Sequence, residues 1–327
     1  MLKRHLNPLI VALTLIVTLP QSFAQSAAPS WPTKPIKLLV PYAAGGPADV
    51  VARELALVLS ADLKQAVTVE NQGGGMGVPA LGVVARAEPD GHTLLLAAFG
   101  NMVLQPMLSK KGGADLVAKL KPVSTISTGP HVLVVSAKLP VKNIPELIDY
   151  ARANPGKVSF ASAGTGGTAH LGMEMFKALS KTDVIHVPYK GSAGAVNDLI
   201  SGEVSAMFSS LPSLQGLADK GLVKVLAATA PSKSNATKSL PLIGTALPGF
   251  DYTTWYAMYA PLATPKPVVD AINLALTKAL KTPALVAKIE AAGTELQAGS
   301  PEEVQAWTQR DTEKWSRVIR DAKIAIE

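Results

Sequence analysis

The chain has 327 residues, a formal net charge of +7 and no cysteine. The lack of cysteine excludes disulfides, thiolate metal ligands and cysteine nucleophiles, and the length is sufficient for two domains with cores of their own. The basic side chains are scattered and few aromatic residues accompany them, so we expect no nucleic-acid partner.

Residues 1–24 have the pattern of a signal peptide for export. They begin with a basic pair, Lys3-Arg4, continue through an apolar run at 9–19, and end with Ser-Phe-Ala at 22–24. The apolar run is short for a bilayer span, which disfavours the alternative of a membrane anchor. We therefore expect cleavage after Ala24 and an exported mature protein.

The first predicted strand, residues 36–40, runs into a loop with two glycines. Gly45 and Gly46 allow positive φ and a close approach of the backbone to a ligand, and Pro47 suits the first position of the helix that follows. Unpaired N–H groups and the positive end of the helix dipole face such a loop. The sequence therefore predicts an anion-binding site built from backbone. A tight turn with nothing bound is the alternative.

The same pattern returns over a hundred residues later. A strand at 158–161 leads into a loop at 162–168 that is rich in glycine and hydroxyl residues, and a helix follows. Thr168 is the predicted N-cap of that helix. Two such loops predict one ligand with two acidic or polar ends.

The remaining elements alternate between strands and helices. The predicted strands are 67–70, 93–98, 131–136, 184–187, 204–208 and 223–229, and the predicted helices are 79–87, 144–153, 194–200, 267–280, 284–292 and one starting near 301. The last helix carries a packing face of Trp307, Trp315, Val318 and Ile319. This alternation predicts an α/β fold with parallel sheets and ligands at the carboxyl ends of strands.

Enzyme signatures are weak. The chain has no nucleophile elbow, no His-Glu-x-x-His and no phosphate loop, and its histidines lack metal-ligand spacing. Residues 164–169 match a loose dinucleotide fingerprint with Asp183 downstream, but residues 75–80 match the same glycine pattern. We expect no catalytic residue, no cofactor and no metal, with an exported nicotinamide-binding enzyme as the alternative.

Several short motifs resemble the extracytoplasmic solute receptors of the tripartite tricarboxylate transporter family, the Bug-type receptors. In chain order the motifs are Trp31-Pro32, Pro41 to Asp49, Val69 to Asn71, Ala87 to Leu95, Asn154 to Lys157, Ala161 to Gly164, His170-Leu171, His186 to Gly191, Thr264 to Pro267 and Lys314-Trp315. Each motif is weak alone, but their order and spacing cover nearly the whole mature chain.

The resemblance implies a two-domain Venus-flytrap fold of the type II-like periplasmic binding proteins. The first domain comprises 31–128 and 230–327, the second comprises 129–229, and the ligand lies in the cleft between them. The loop with Gly45 and Gly46 holds one carboxylate, and the loop from Ser162 to Thr168 holds the other end.

The expected ligand-binding residues lie on these loops and on the cleft walls. They are Tyr42, Ala44, Gly45, Gly46, Phe99, Asn101, Ser162, Gly164, Thr165, Thr168, Tyr189 and Ser209. Asp49 and His170 are expected to support the loops. A carboxylate at Asp49 would repel an acidic ligand, and it can instead accept backbone N–H bonds. For Tyr189, a purely structural role is the alternative.

The predicted function is a periplasmic, monomeric, non-enzymatic receptor for a small carboxylate, either a dicarboxylate or an aromatic carboxylate. The receptor would deliver this acid to membrane subunits of a tripartite tricarboxylate-type transporter. A sensory receptor that signals to a partner protein and an exported enzyme are the alternatives. The sequence departs from the family at Ser209-Ser210, at 110–116 and at 99–101, so the acid itself stays open.

Overall fold

The computed structural model describes residues 31–108, 113–189, 192–291 and 293–321. The predicted signal peptide lies outside these ranges, as do Lys110 and Lys111. Within the described ranges, no helix is both long and apolar enough to cross a membrane.

The strands form two sheets. The chain builds most of the first sheet, then the whole second sheet, and then returns to add its last two strands to the first sheet. The strands are β1 (Ile36–Val40), β2 (Val67–Asn71), β3 (Thr93–Ala98), β4 (Leu120–Pro130), β5 (Val132–Ser136), β6 (Val158–Ser162), β7 (Val184–Pro188), β8 (Ala206–Ser209), β9 (Val223–Ala228), β10 (Thr253–Pro261) and β11 (Glu295–Leu296).

Most helices connect consecutive strands. They are α1 (Pro47–Leu63), α2 (Val78–Ala85), α3 (Gln105–Leu108), α4 (Gly113–Val117), α5 (Ile144–Ala153), α6 (Thr168–Ser180), α7 (Ser192–Ser201), α8 (Pro212–Asp219), α9 (Ile243–Ala246), α10 (Lys266–Ala279), α11 (Pro283–Ala291) and α12 (Pro301–Asp321). A 3₁₀ turn at Gly75–Gly77 precedes α2, and a π-helical segment at Gly100–Leu104 precedes α3.

Both sheets are mixed. The first has the order β11-β4-β10-β3-β1-β2, in which β1 is parallel to β2 and β3 while β10 is antiparallel to β3 and β4. The second has the order β7-β6-β8-β5-β9, in which β6 is parallel to β7 and β8 while β5 is antiparallel to β8 and β9. The prediction of parallel sheets is therefore wrong for five strands that are antiparallel to every neighbour they have, namely β4, β5, β9, β10 and β11.

No strand was predicted at β4, β10 or β11. The sequence of β4 lacks the hydrophobic alternation that predicts a strand, because Ser124, Thr125 and Ser127 occupy buried positions. Ser124 Oγ lies 2.8 Å from the Thr125 carbonyl oxygen and 3.0 Å from the Gly299 carbonyl oxygen, and the Thr125 hydroxyl donates to the Gln297 carbonyl at 2.6 Å. Partners this distant in sequence allow polar residues in a core strand.

The chain crosses between the sheets at His131 and returns after β9. The Thr229 N–H donates to the His131 carbonyl at 2.9 Å, and the His131 N–H donates to the Thr229 hydroxyl oxygen at 3.0 Å. The two crossing segments are thus hydrogen-bonded to each other.

The predicted domain boundaries stay a prediction. The packing of Phe250 on Phe208, with ring centroids 5.8 Å apart, favours a second boundary after Phe250.

A row of aromatic rings joins the cores of the two sheets. Trp315 of α12 lies 5.7 Å from Phe99 and 5.9 Å from Tyr252, and Tyr252 lies 5.9 Å from Phe208 of the second sheet. Trp307, Val318 and Ile319 pack on the same core. The predicted packing face of the last helix is confirmed.

Candidate ligand-binding site

The first glycine loop connects β1 to α1. Gly45 has φ +83°, as predicted, whereas Gly46 has φ −83° and ψ 171° and is extended, so the prediction of positive φ is wrong for Gly46. Gly46 is the N-cap of α1 and Pro47 begins the helix. Ala44 and Gly45 are exposed. The loop therefore presents backbone at the start of a 17-residue helix.

Asp49 anchors this loop from within the helix. Its carboxylate accepts hydrogen bonds from the Gly45 N–H at 2.8 Å, from Arg53 Nε at 2.9 Å and from Asn71 Nδ2 at 2.9 Å. Burial raises the pKa of Asp49, but the hydrogen bonds from Arg53, Gly45 and Asn71 outweigh burial, so the pKa lies below its ordinary value. The carboxylate and the guanidinium thus pair with each other at the base of the loop.

A second glycine run, residues 73–77, packs against the first loop and was not among the predicted site residues. A Cβ at Gly73 would lie 2.9 Å from the Ala43 backbone nitrogen, and one at Gly77 would lie 2.8 Å from Pro41 Cβ. Both positions therefore require glycine. The sequence signal was the run of glycines itself, at the carboxyl end of β2.

Asn101 holds the 73–77 loop in place instead of lining a cleft. The side chain is 2% exposed, its Nδ2 donates to the Met76 carbonyl at 3.0 Å, and its Oδ1 accepts from the Ala98 N–H at 3.1 Å. Phe99 is fully buried and contacts Trp255 and Trp315. The prediction that these two side chains form cleft walls is therefore corrected to a core and loop-support role.

The second predicted anion loop connects β6 to α6. Gly167 is the N-cap and Thr168 begins the helix, so the prediction of Thr168 as N-cap is wrong by one residue. The Gly167 backbone is extended, with ψ 168°, which is the geometry that an N-cap needs. Thr165 is exposed, and Gly164 has φ +151°.

Ser162 is used inside this loop. It is 1% exposed, its hydroxyl donates to the Gly164 carbonyl at 2.9 Å, and its Oγ lies 2.6 Å from His186 Nε2. The single Ser162 hydroxyl hydrogen can go to only one of these two partners, and both contacts hold the side chain within the loop. The predicted ligand contact is therefore corrected for this side chain, which shapes the loop.

His170 and His186 form a stacked pair beneath the second loop, with centroids 3.9 Å apart. The Gly166 N–H donates to His170 Nδ1 at 3.0 Å, which leaves the proton of a neutral His170 on Nε2, 3.7 Å from Glu174. Burial and the neighbouring His170 lower the pKa of His186 to about 4, and Glu174 opposes this weakly. A neutral His186 therefore supports the loop near pH 7, and His170 makes the loop contact that was expected of it.

Tyr189 and Ser209 lie on the second sheet near this loop. The Tyr189 hydroxyl donates to Asp198 Oδ2 at 2.5 Å, and the Tyr189 N–H donates to the Ser162 carbonyl at 2.9 Å. The structural alternative for Tyr189 thus accounts for its hydroxyl. Ser209 is half-buried with its Oγ 3.1 Å from Ser213 Oγ. The ligand contacts predicted for Ser209, Ala44 and Thr165 stay predictions.

The two sheets bring their loops together at Gly100. A Cβ built on Gly100 would lie 3.6 Å from Thr168 Oγ1 and 3.8 Å from the Tyr42 hydroxyl. Burial, with a smaller contribution from Tyr256, raises the pKa of Tyr42 above its ordinary value, so the hydroxyl stays protonated. Hydroxyl groups that belong to the loops of both sheets therefore lie close to one position. Across the described ranges, no three His, Asp or Glu side chains group as metal ligands.

Two α/β domains with facing loops at the carboxyl ends of their strands define a periplasmic binding protein fold. Residues 51–324 match the tripartite tricarboxylate transporter family receptors (TctC), and the chain belongs to that family. The resemblance and the fold class drawn from the sequence are both confirmed.

Relatives match along most of their length. The chain is 34% identical to the UPF0065 protein in the tcbD-tcbE intergenic region of Pseudomonas sp. (strain P51), over 90% of this chain and 88% of that protein. It is 30% identical to BugT of Bordetella pertussis, over 97% of this chain and 98% of BugT.

Solved structures show the same fold. R. palustris Rpa4515 with adipate has a TM-score of 0.85 at 31% identity, covering 90% of this chain and 99% of that one. The periplasmic binding protein BugD has a TM-score of 0.82 at 32% identity, covering 91% of this chain and 100% of BugD. MatC from Rhodopseudomonas palustris with bound malate has a TM-score of 0.80 at 27% identity, covering 88% of this chain and 100% of MatC.

Proposed function

We propose that the protein is a periplasmic receptor that binds a small carboxylate between the loop at 41–46 and the loop at 162–168. The acid is a dicarboxylate or an aromatic carboxylate. The observation that carries this proposal is the approach of Tyr42 and Thr168 to one point at Gly100, because it brings a residue from each predicted anion loop to the same position.

Helix starts supply the attraction. Both α1, with 17 residues, and α6, with 13 residues, begin directly after a glycine loop, so their first N–H groups are free of intrahelical partners. Hydrogen bonds from such groups to a carboxylate contribute about 1.5–3 kcal/mol each. A few of them, less the cost of ordering, approach the roughly 8 kcal/mol of a micromolar complex.

The relatives support a dicarboxylate. Rpa4515 was solved with adipate and MatC with malate, and both are acids with two carboxylate groups. Two anion loops on opposite sheets suit such a ligand, since each loop meets one end. The family description, a receptor of the tripartite tricarboxylate transporter family, supports delivery of the acid to membrane subunits of such a transporter.

Binding is coupled to domain closure in this proposal. The segments at His131 and Thr229, which are hydrogen-bonded to each other, form the hinge between the two sheets. A ligand that contacts Tyr42 on one side and Thr168 on the other has a higher affinity for the closed arrangement, and it shifts the population towards that arrangement.

The Ser162–His186 contact superficially resembles a nucleophile and its general base. The loop itself holds the Ser162 oxygen, because this oxygen lies 2.9 Å from the Gly164 carbonyl oxygen and accepts from the Gly164 N–H at 3.2 Å. The serine is also 1% exposed. These contacts favour loop support, and therefore a binding role, over catalysis.

A melting-temperature screen tests the proposal. The purified protein is mixed with malate, adipate and terephthalate, and with the monoamide of each acid. A ligand at a hundred times its Kd stabilises the native state by about 2.7 kcal/mol. We expect a diacid to raise the melting temperature more than its monoamide does. Equal melting temperatures with and without every acid would contradict the proposal.

Uptake measurements separate transport from sensing. Cells that lack the gene are compared with wild-type cells for uptake of the radiolabelled acid that binds best in the screen. We expect uptake at low micromolar concentration to fall when the gene is absent. Unchanged uptake together with tight binding would favour the sensory alternative.

A further inference from the structure

Gly100 is buried at the point where the loops of the two sheets meet, and the fold itself does not require a glycine there. Its backbone lies outside the left-handed region, unlike that of Gly45 or Gly77. Gly100 also begins a helical segment, where alanine is favoured over glycine. Backbone conformation therefore gives no reason for glycine at this position.

Packing gives no reason either. The nearest atoms to a Cβ at Gly100 are Thr168 Oγ1 at 3.6 Å and the Tyr42 hydroxyl at 3.8 Å, both ordinary van der Waals distances. At Gly77, by contrast, a Cβ would lie 2.6 Å from Asn101 Nδ2, which excludes any side chain. A methyl group at Gly100 fits the protein, but it lies within 4 Å of two hydroxyl groups from opposite sheets.

We propose that Gly100 is a size-determining residue for the ligand. The inference rests on the proposed function and concerns the part of the ligand that contacts this position. The body of the acid, between its carboxylate ends, passes over the Gly100 backbone and between the hydroxyls of Tyr42 and Thr168. A side chain at Gly100 and a thick ligand body compete for the same volume, so the glycine sets the upper limit on ligand thickness.

The test replaces one hydrogen by a methyl group. Gly100→Ala is compared with the wild type by calorimetric titration of succinate, adipate and terephthalate into the purified protein. The matched control is Gly216→Ala, because Gly216 is exposed on α8 and a Cβ there meets nothing within 4 Å. For Gly100→Ala we expect an affinity at least tenfold lower for the thickest acid that binds the wild type. The loss is expected to be smaller for the thinnest acid. Gly216→Ala should match the wild type.

Three results would overturn the size role while leaving the proposed function intact. One is affinity for all bound acids within threefold of the wild type, and another is an equal loss for thin and thick acids. The third is a lower melting temperature of unliganded Gly100→Ala, which would show that packing demands the glycine. A wild-type protein that binds none of the three acids overturns the size role too, and the wider acid screen then decides separately whether the proposed function also fails.

Discussion

Gly45 donates its backbone N–H to the Asp49 carboxylate across 2.8 Å, so the exposed first loop is tied to a side chain that is 3% exposed. The same carboxylate accepts from Arg53 and Asn71. A loop that binds an anion through its backbone must keep its N–H groups aimed before the ligand arrives, because ordering them on binding costs affinity. Asp49 ties the loop in this way while its own charge is paired with Arg53.

Asp49→Ala removes this support. We expect unfolding free energy to fall by about 1–3 kcal/mol, because the donors of Gly45, Arg53 and Asn71 lose their shared acceptor, and we expect ligand affinity to fall with it. Urea denaturation and calorimetric titration measure the two effects. The control is Asp270→Ala, which removes an exposed pair with Lys266 and should cost less than about 1 kcal/mol. Equal losses in the two variants would contradict an anchoring role.

Substitutions at the two glycines of the first loop test backbone conformation and ligand access separately. Gly45→Ala places a side chain at φ +83° and should cost about 1–2 kcal/mol of stability. Gly46→Val keeps an allowed backbone, and its Cβ would meet only the Ala43 carbonyl oxygen at 3.6 Å, so the fold should survive. Binding should be lost in Gly46→Val, because the branched side chain blocks approach to the helix start. Melting curves and titrations check both variants. Wild-type affinity in Gly46→Val would show that the ligand does not use this loop.

Local patterns made much of this fold predictable. The strands at 36–40 and 93–98 are mostly apolar, and the glycine loops that follow the strands at 36–40 and 158–162 lie at carboxyl strand ends as expected. Positions decided by distant partners were not predictable. Thr125 is a core residue because the Gln297 carbonyl accepts its hydroxyl proton, and Phe99 turns inward because Trp315 of the last helix covers it.

The candidate site shows the same limit. The positions of both loops follow from glycine spacing, but the role of Ser162 depends on its hydrogen-bond partners in the folded chain, Gly164 and His186. Sequence alone identified Ser162 as a ligand contact because a hydroxyl near a helix start suits that role. The position of the His186 imidazole beneath the loop was needed to assign the Ser162 hydroxyl to loop support.

Acid should weaken the second loop through His186. Its pKa in the folded protein is about 4, below the ordinary 6.5, so between these values the unfolded chain takes up a proton that the folded chain does not. Stability from this group is therefore complete above pH 6.5 and is lost as the pH falls towards 4. His131, with a pKa also lowered to about 4 by burial, adds to the same trend.

His186→Gln tests this assignment, because the glutamine amide retains a donor where Nε2 contacts Ser162 but does not titrate. We expect the melting temperature of the wild type to fall more steeply than that of His186→Gln between pH 6.5 and 4. The variant keeps part of the slope through His131. Parallel pH profiles for the two proteins would show that His186 is not the group that loses stability in acid.

Trp315 is the side chain whose loss should affect both domains. It is 1% exposed on α12, and it lies between Phe99 of the first domain and Tyr252 at the return crossing. Trp315→Ala removes a large buried ring, so we expect unfolding free energy to fall by about 3–5 kcal/mol, and Trp315→Phe should recover part of the loss. Trp307→Ala is the control, since Trp307 is only half-buried against Trp255. Urea denaturation followed by circular dichroism measures the three variants. If Trp315→Ala cost no more than Trp307→Ala, the aromatic row would be a surface feature and not the packed connection between the domains.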